Sequence, residues 1–196
     1  MKATRILYSK KLNAGKYNQL AETASRLGKI RTETWHRYGS FNGVGVSDRV
    51  IRDKYLAEGR KFDVPARLWK ATLKDSSDNI KACREAAKVK ARQAVSRHTS
   101  DKKEQKRLYT LLKYNKWAED KYLRRIMRKY WKHGRNHTKN QIVADTGCYT
   151  AEVKNNQTWL YVMGLNPRFT EKMCAILFSM LPMSCSARPI QLSVKI

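Results

Sequence analysis

Residues 63–94 read DVPARLWKATLKDSSDNIKACREAAKVKARQA, and the period of this stretch decides the fold class. Asp63-Val64-Pro65 is a helix start signal, with proline near the first turn, where its missing N–H costs little. Trp69, Leu73, Ser76, Ile80, Cys83, Ala87, Ala91 and Ala94 then recur three or four residues apart, which keeps them on one face of a long amphipathic helix. Large side chains at its start give way to Cys and Ala, so a partner backbone can come closer toward the C-terminal end. Rotated from that stripe lie Lys81, Arg84, Lys88 and Arg92, again at helical spacing.

Toward the C-terminus, Arg97-His98-Thr99-Ser100 breaks the pattern, and Asp101-x-x-Glu104 resembles a capping box with Asp in the Ser/Thr place. A third long helix is predicted to follow and to close at Gly134. Its apolar side is Leu108, Leu111, Leu112, Ala118, Tyr122, Leu123, Ile126, Met127, Tyr130 and Trp131. Its basic side is Lys121, Arg125, Arg128 and Lys132, with Arg124 and Arg135 beside them. At 1.5 Å per residue each long helix runs about 50 Å, and the short link between them predicts an antiparallel hairpin.

Toward the N-terminus, Thr4-Arg5-Ile6-Leu7-Tyr8 alternates like a short strand, and Asn13-Ala14-Gly15 is a turn signal. Tyr17, Leu20, Ala21, Ala24 and Leu27 mark a helix that Gly28 is placed to end. A further helix is predicted over 32–38 and a short one over 48–56. The glycine-rich segment 39–45 lacks the Gly-Lys-Ser/Thr ending of a phosphate-cradling loop and is read as a connector. After Gly134 the period changes. Runs 141–144, 148–153 and 158–162 are β-rich and predict an antiparallel meander turning at Asn155-Asn156. From Pro167 the composition shifts again, and 173–181 is apolar on all sides, expected as a buried helix before a tail or as a non-native segment. The expectation is an α+β fold, mostly helical: a first strand in 1–12, a helical lobe over 13–135, a β-meander over 136–166, and an apolar tail over 167–196.

The chain carries 42 Lys+Arg against 16 Asp+Glu, a net charge of +26, with mean hydropathy −0.71. Thirty-six basic and 13 acidic residues precede Asn136, and 81–135 alone hold 19 basic and 5 acidic groups. Such a charge repels itself unless a polyanion neutralises it, so nucleic acid, RNA or DNA, is the expected partner. A basic surface kept for solubility is the bland alternative, disfavoured because solubility gains more from added acids. No apolar run approaches ~18 residues, so no membrane span is expected, and the N-terminus lacks the apolar core of a signal peptide. Cys83, Cys148, Cys174 and Cys185 are widely spaced without a C-x-x-C pair and read as reduced intracellular thiols.

Aromatics interleave with the charges. Tyr114 and Trp117 sit off the apolar stripe and are candidates to stack on unpaired bases, whereas Tyr122, Tyr130 and Trp131 are expected in the hairpin seam. His133 and His137 are a weak metal half-site, because Gly134 interrupts the helix that would align them; His36 and His98 are read as peripheral. Glu119-Asp120 is the nearest approach to paired carboxylates, and ion pairs of Asp120 with Lys116 and Arg124 account for it. No catalytic constellation, metal site, cofactor or small-molecule substrate is expected. A stand-alone basic helical DNA-binding regulator is the second reading, and it would prefer a duplex sequence without RNA.

Four segments carry a family likeness: residues 3–12 (ATRILYSKKL), 35–40 (WHRYGS), 51–53 (IRD), and Arg124-Arg125-Ile126-Met127-Arg128-Lys129-Tyr130-Trp131 with the following Gly134-Arg135-Asn136-His137-Thr138. Together with the order of elements, they resemble the N-terminal half of TnpB-family proteins, transposon-encoded RNA-guided DNA nucleases related to type V CRISPR effectors. The likeness covers residues 1–165. It implies that the first strand and 139–163 form one wedge-like split barrel, and that the helices between are a recognition lobe touching guide RNA, the guide–target heteroduplex and a short DNA motif. Delegated base pairing needs a protein that holds backbones, and that requires Lys and Arg. In the family a RuvC-like nuclease domain with three acidic metal ligands and a C-x-x-C zinc ribbon follows, whereas here the likeness fades after Gly164-Leu165-Asn166-Pro167-Arg168. The resemblance therefore implies a truncated or frameshifted copy, in the cytoplasm of a prokaryote, without nuclease activity of its own.

Overall fold

The computed structural model describes residues 12–60, 62–131, 140–145, 147–154, 157–163, 174–178 and 192–195. The fold is α+β and mostly helical. Its helices are α1 (Ala14–Tyr38), α2 (Asp48–Ala57), α3 (Ala66–His98), α4 (Lys102–Lys113) and α5 (Lys121–Tyr130). A short 3₁₀ turn spans Phe41–Gly43, and the strands are β1 (Gln141–Ala144), β2 (Tyr149–Lys154), β3 (Gln157–Val162), β4 (Cys174–Phe178) and β5 (Leu192–Lys195). The expected first strand at 4–8 lies outside the described residues, as do the Asn155-Asn156 turn and His133 and His137.

The chain forms two compact units interleaved along the sequence. The first comprises Met1–Glu33, Arg52–Asp75 and Asn136–Ile196; the second comprises Thr34–Ile51 and Ser76–Arg135.

In the first unit, α1 buries Leu20, Ala24, Leu27 and Ile30, and α3 contributes Leu68, Trp69 and Leu73. Tyr55, Phe62 and Trp69 form an aromatic chain with ring centroids 5.6 and 5.3 Å apart. The guanidinium of Arg31, buried, donates to the backbone oxygen of Gln141 at 2.7 Å and faces Asp75 at 3.7 Å, so α1 is tied to both α3 and β1. Burial lowers the Arg31 pKa, and Asp75 opposes that shift.

The β arrangement differs from the expected meander. β2 pairs antiparallel with β3, from Tyr149↔Val162 to Lys154↔Gln157, as the alternation predicts. β1, however, pairs with β5, Ile142 opposite Val194, and β4 adds to the far edge of β3, Leu160 opposite Ile176. Segment 174–178 is therefore a strand where a helix was expected. An apolar run of this length does not distinguish a buried strand from a buried helix, and its Ile, Leu and Phe suit an edge that β3 leaves open.

Gly28 does not end α1. It is buried within the helix, which runs on to Tyr38, so the two helices expected over 17–28 and 32–38 are one. A glycine inside a helix costs about 1 kcal/mol relative to alanine. Burial of Leu27 before it and of Ile30, Trp35 and Tyr38 after it outweighs that amount, at about 1.5–3 kcal/mol for a fully buried large side chain.

The buried stripe of α3 in the second unit also differs from the expected one. It passes through Ser76, Ile80, Arg84, Ala87, Lys88, Ala91 and Val95, leaving Cys83 exposed. The third long helix is in fact two. Asn115 adopts φ 60°, and the Lys116 N–H reaches the Leu111 carbonyl at 2.9 Å while Asn115 N–H reaches Leu112 at 3.4 Å, a Schellman-type stop. Asp120 then caps α5, accepting from Leu123 N–H at 2.9 Å. Between them Trp117 turns inward, fully buried, with Phe41 at 5.0 Å and Trp131 at 6.0 Å between ring centroids.

Cys148 is buried, and burial together with Asp145 pushes its thiol up to about 12, so it stays protonated near pH 8. In the native protein iodoacetamide is expected to alkylate the exposed Cys83 and to spare Cys148 until the chain is unfolded, as read by peptide mass spectrometry. Equal native labelling of the two would contradict this packing.

Candidate nucleic-acid interface

The second unit holds 21 Lys+Arg against 7 Asp+Glu. Among the described helices, α5 separates charge from core most sharply. Leu123 and Met127 point inward, fully buried, and Trp131 follows them at its C-cap. Lys121, Arg124, Arg125, Arg128 and Lys129 are all exposed, and their spacing of three and four residues places them on one side of the helix. The helix itself contains no acid. Five cations on ten residues, with no carboxylate among them, form a surface that favours a line of phosphates.

The face is held in place from both ends. At its N-terminus, one Asp120 oxygen accepts from Leu123 N–H and the other from Arg107 at 2.8 Å. Arg107 also takes both oxygens of Glu104 on α4, at 2.7 and 2.8 Å. These hydrogen bonds hold the Glu104 carboxyl below its usual range and raise Arg107 above its own. Desolvation pushes Asp120 upward, but the Leu123 N–H and the Arg107 guanidinium outweigh it and lower its pKa. The expected pairing of Asp120 with Lys116 and Arg124 is thus replaced. The helix break makes Asp120 a cap, and Arg124 instead donates to the Ala118 carbonyl at 2.9 Å. Further along, the Arg128 guanidinium lies 5.1 Å from the Phe41 ring centroid, a cation–π contact that orients it while leaving it exposed. Tyr122 fixes the helix against α3, donating to the Ala94 carbonyl at 3.1 Å while its ring stacks on His98 at 3.9 Å.

The other residues singled out in the sequence fall into three groups. Arg92 on α3 is exposed, and Lys81 is half-exposed beside Asp78 at 3.5 Å. Arg84 and Lys88 are only 8% and 7% exposed, which removes them from the solvent-facing basic surface. Their stripe position is the reason: Arg84 reaches the Gly43 carbonyl at 3.5 Å, and Lys88 pairs with Glu85 at 2.8 Å. Trp117, at 0% exposure, cannot stack on a base, whereas Tyr114 at 62% is open to one. Lys132 and Arg135 lie outside the described residues. Lys129 belongs to the face and was absent from the spacing read in the sequence; its signal is the i, i+4 series Lys121, Arg125, Lys129.

At least six of the described carboxylates pair with cations. Glu22 pairs with Arg26, Glu33 with Arg60, Asp53 with Arg52, Asp75 with Arg31, and Glu104 and Asp120 share Arg107. Among the described residues no group of three His, Cys, Asp or Glu is placed to hold a metal ion. Comparison of the chain with protein-family models, with curated proteins and with solved structures returned no match.

A carboxyl held low in the folded state stabilises it above the unfolded value, about 3.9 for Asp, and that contribution is lost as pH falls through the lower folded value. Asp120→Asn keeps a capping side chain but removes the charge. Its acid-unfolding curve, followed by circular dichroism, is expected to be shallower than the parent's below about pH 4; superimposable curves would contradict the charge-assisted cap.

Proposed function

We propose that this chain binds nucleic acid, holding guide RNA and target DNA by their backbones as the N-terminal portion of a TnpB-type transposon-encoded protein, without nuclease chemistry of its own. The observation that carries the reading is the exposed, acid-free cationic face of α5, fixed by Asp120 at one end and by Arg128 on Phe41 at the other. A face of this kind contacts phosphates and carries no base code, as a protein does when it leaves sequence reading to a guide strand. The family assignment is supported by the four quoted segments, the last of which contains most of α5. The lack of nuclease chemistry is supported by the six described carboxylates named above, which neighbouring cations engage. On this reading the protein works in the cytoplasm of a prokaryote, and no helix among the described residues is long and apolar enough to cross a membrane.

Binding to RNA or DNA is expected to weaken by ~10³–10⁵ between about 50 and 200 mM salt if about 6–10 phosphates are contacted. Arg125→Glu with Arg128→Glu is expected to weaken it far more than Lys29→Glu with Lys70→Glu, two exposed cations of the first unit. Electrophoretic mobility shift with structured RNA measures both effects, and salt-independent binding or equal losses would reject the proposal.

A further inference from the structure

We propose that Tyr114 is a stacking platform for an unpaired nucleobase, so that the corner between α4 and α5 selects single-stranded nucleic acid where the α5 face alone selects only charge. The inference rests on the nucleic-acid reading above and adds a ligand class to it.

Tyr114 occupies the C-cap of α4, and its backbone is fixed on both sides. Its own N–H donates to the Thr110 carbonyl at 3.1 Å. Asn115 follows in the left-handed region at φ 60°, and Lys116 N–H closes the Schellman bond to Leu111 at 2.9 Å. Asn is one of the few residues other than glycine that adopt this conformation at modest cost. Trp117, the next residue after Lys116, is buried against Phe41 and Trp131 and anchors the far side of the turn. The phenol therefore stands 62% exposed on a held backbone, not on a loose one.

Its surroundings match a nucleotide rather than an apolar partner. Lys113 places its ammonium 5.5 Å from the Tyr114 ring centroid, and Lys116 is exposed on the other side of Asn115. A base needs an aromatic face to stack on, and its phosphates need cations within reach. This corner supplies both within four consecutive residues, 113–116. Bases in a duplex are already stacked on their neighbours, so only an unpaired base can use the ring. The two sources of such a base, RNA and DNA, share this chemistry.

The test uses the full chain and four labelled probes: oligouridylate, oligothymidylate, and an RNA and a DNA duplex of the same length. Tyr114→Ala is expected to weaken binding of at least one single strand by about 5- to 150-fold, to leave both duplexes unchanged, and to leave the salt dependence unchanged, because no phosphate contact is lost. Tyr114→Phe retains the ring and is expected to bind like the parent. A thermal melt equal to the parent's establishes that the alanine variant is folded. Loss on one strand but not the other identifies RNA or DNA as the source. If Tyr114→Ala leaves both single strands unaffected, or weakens strands and duplexes alike, while Arg125→Glu with Arg128→Glu abolishes binding, stacking is overturned and the backbone reading stands. If neither variant changes binding, both fall.

Discussion

Asp120 uses both carboxylate oxygens to fix where α5 begins and which way it faces. One accepts the Leu123 N–H and starts the helix; the other accepts Arg107, which is held in turn by Glu104 of α4. Once the first turn is set, helical geometry dictates the rest: Leu123 and Met127 face the core, and Lys121, Arg124, Arg125, Arg128 and Lys129 face solvent. Without this anchor a ten-residue helix with five cations would have little reason to form, since isolated helices of this length are marginal and like charges at i, i+4 repel. Arg107, in the most basic part of the sequence, is therefore a positioning cation, although its side chain is exposed.

The same economy governs the other charges of the second unit. Arg84 and Lys88 are drawn into the buried stripe of α3, where their long stems cover apolar surface and their heads reach a carbonyl and a carboxylate. The exposed cations are left without acids on α5, and the separation is what gives the face its field. A surface with the same number of charges but with acids interspersed would have a similar composition and a much weaker attraction for a phosphate line.

The class of the fold was legible because periodicity is a strong signal: the 3.6-residue period of 66–98 is a helix in the structure, although its buried stripe is rotated, and the β-rich runs 148–153 and 158–162 pair as β2 and β3. What escaped was where helices stop and which strands pair. Gly28 and Asn115 are both helix-stop residues, yet only Asn115 stops one. Buried side chains continue past Gly28, whereas after Asn115 the next large apolar residue, Trp117, is reached by turning rather than by continuing. The pairing of β1 with β5 and of β3 with β4 joins residues far apart in sequence, and no local pattern encodes it. The cationic face of α5 was readable from spacing, but the burial of Arg84, Lys88 and Trp117 was not. It depends on what packs against α3 and on a break that turns Trp117 inward.

The central claim is that the cations act as a located face and not as a diffuse charge. The most direct measurement is the slope of log K against log salt for a short duplex, comparing two variants of equal net charge. One carries glutamine at Lys121, Arg124, Arg125, Arg128 and Lys129; the other carries glutamine at five exposed cations elsewhere, Lys29, Lys54, Lys70, Lys90 and Arg97. The account predicts that the first variant loses about 0.9 of slope for each phosphate contact removed while the second keeps most of the parent's slope. Equal slopes for the two would show that net charge alone does the binding and would contradict the account.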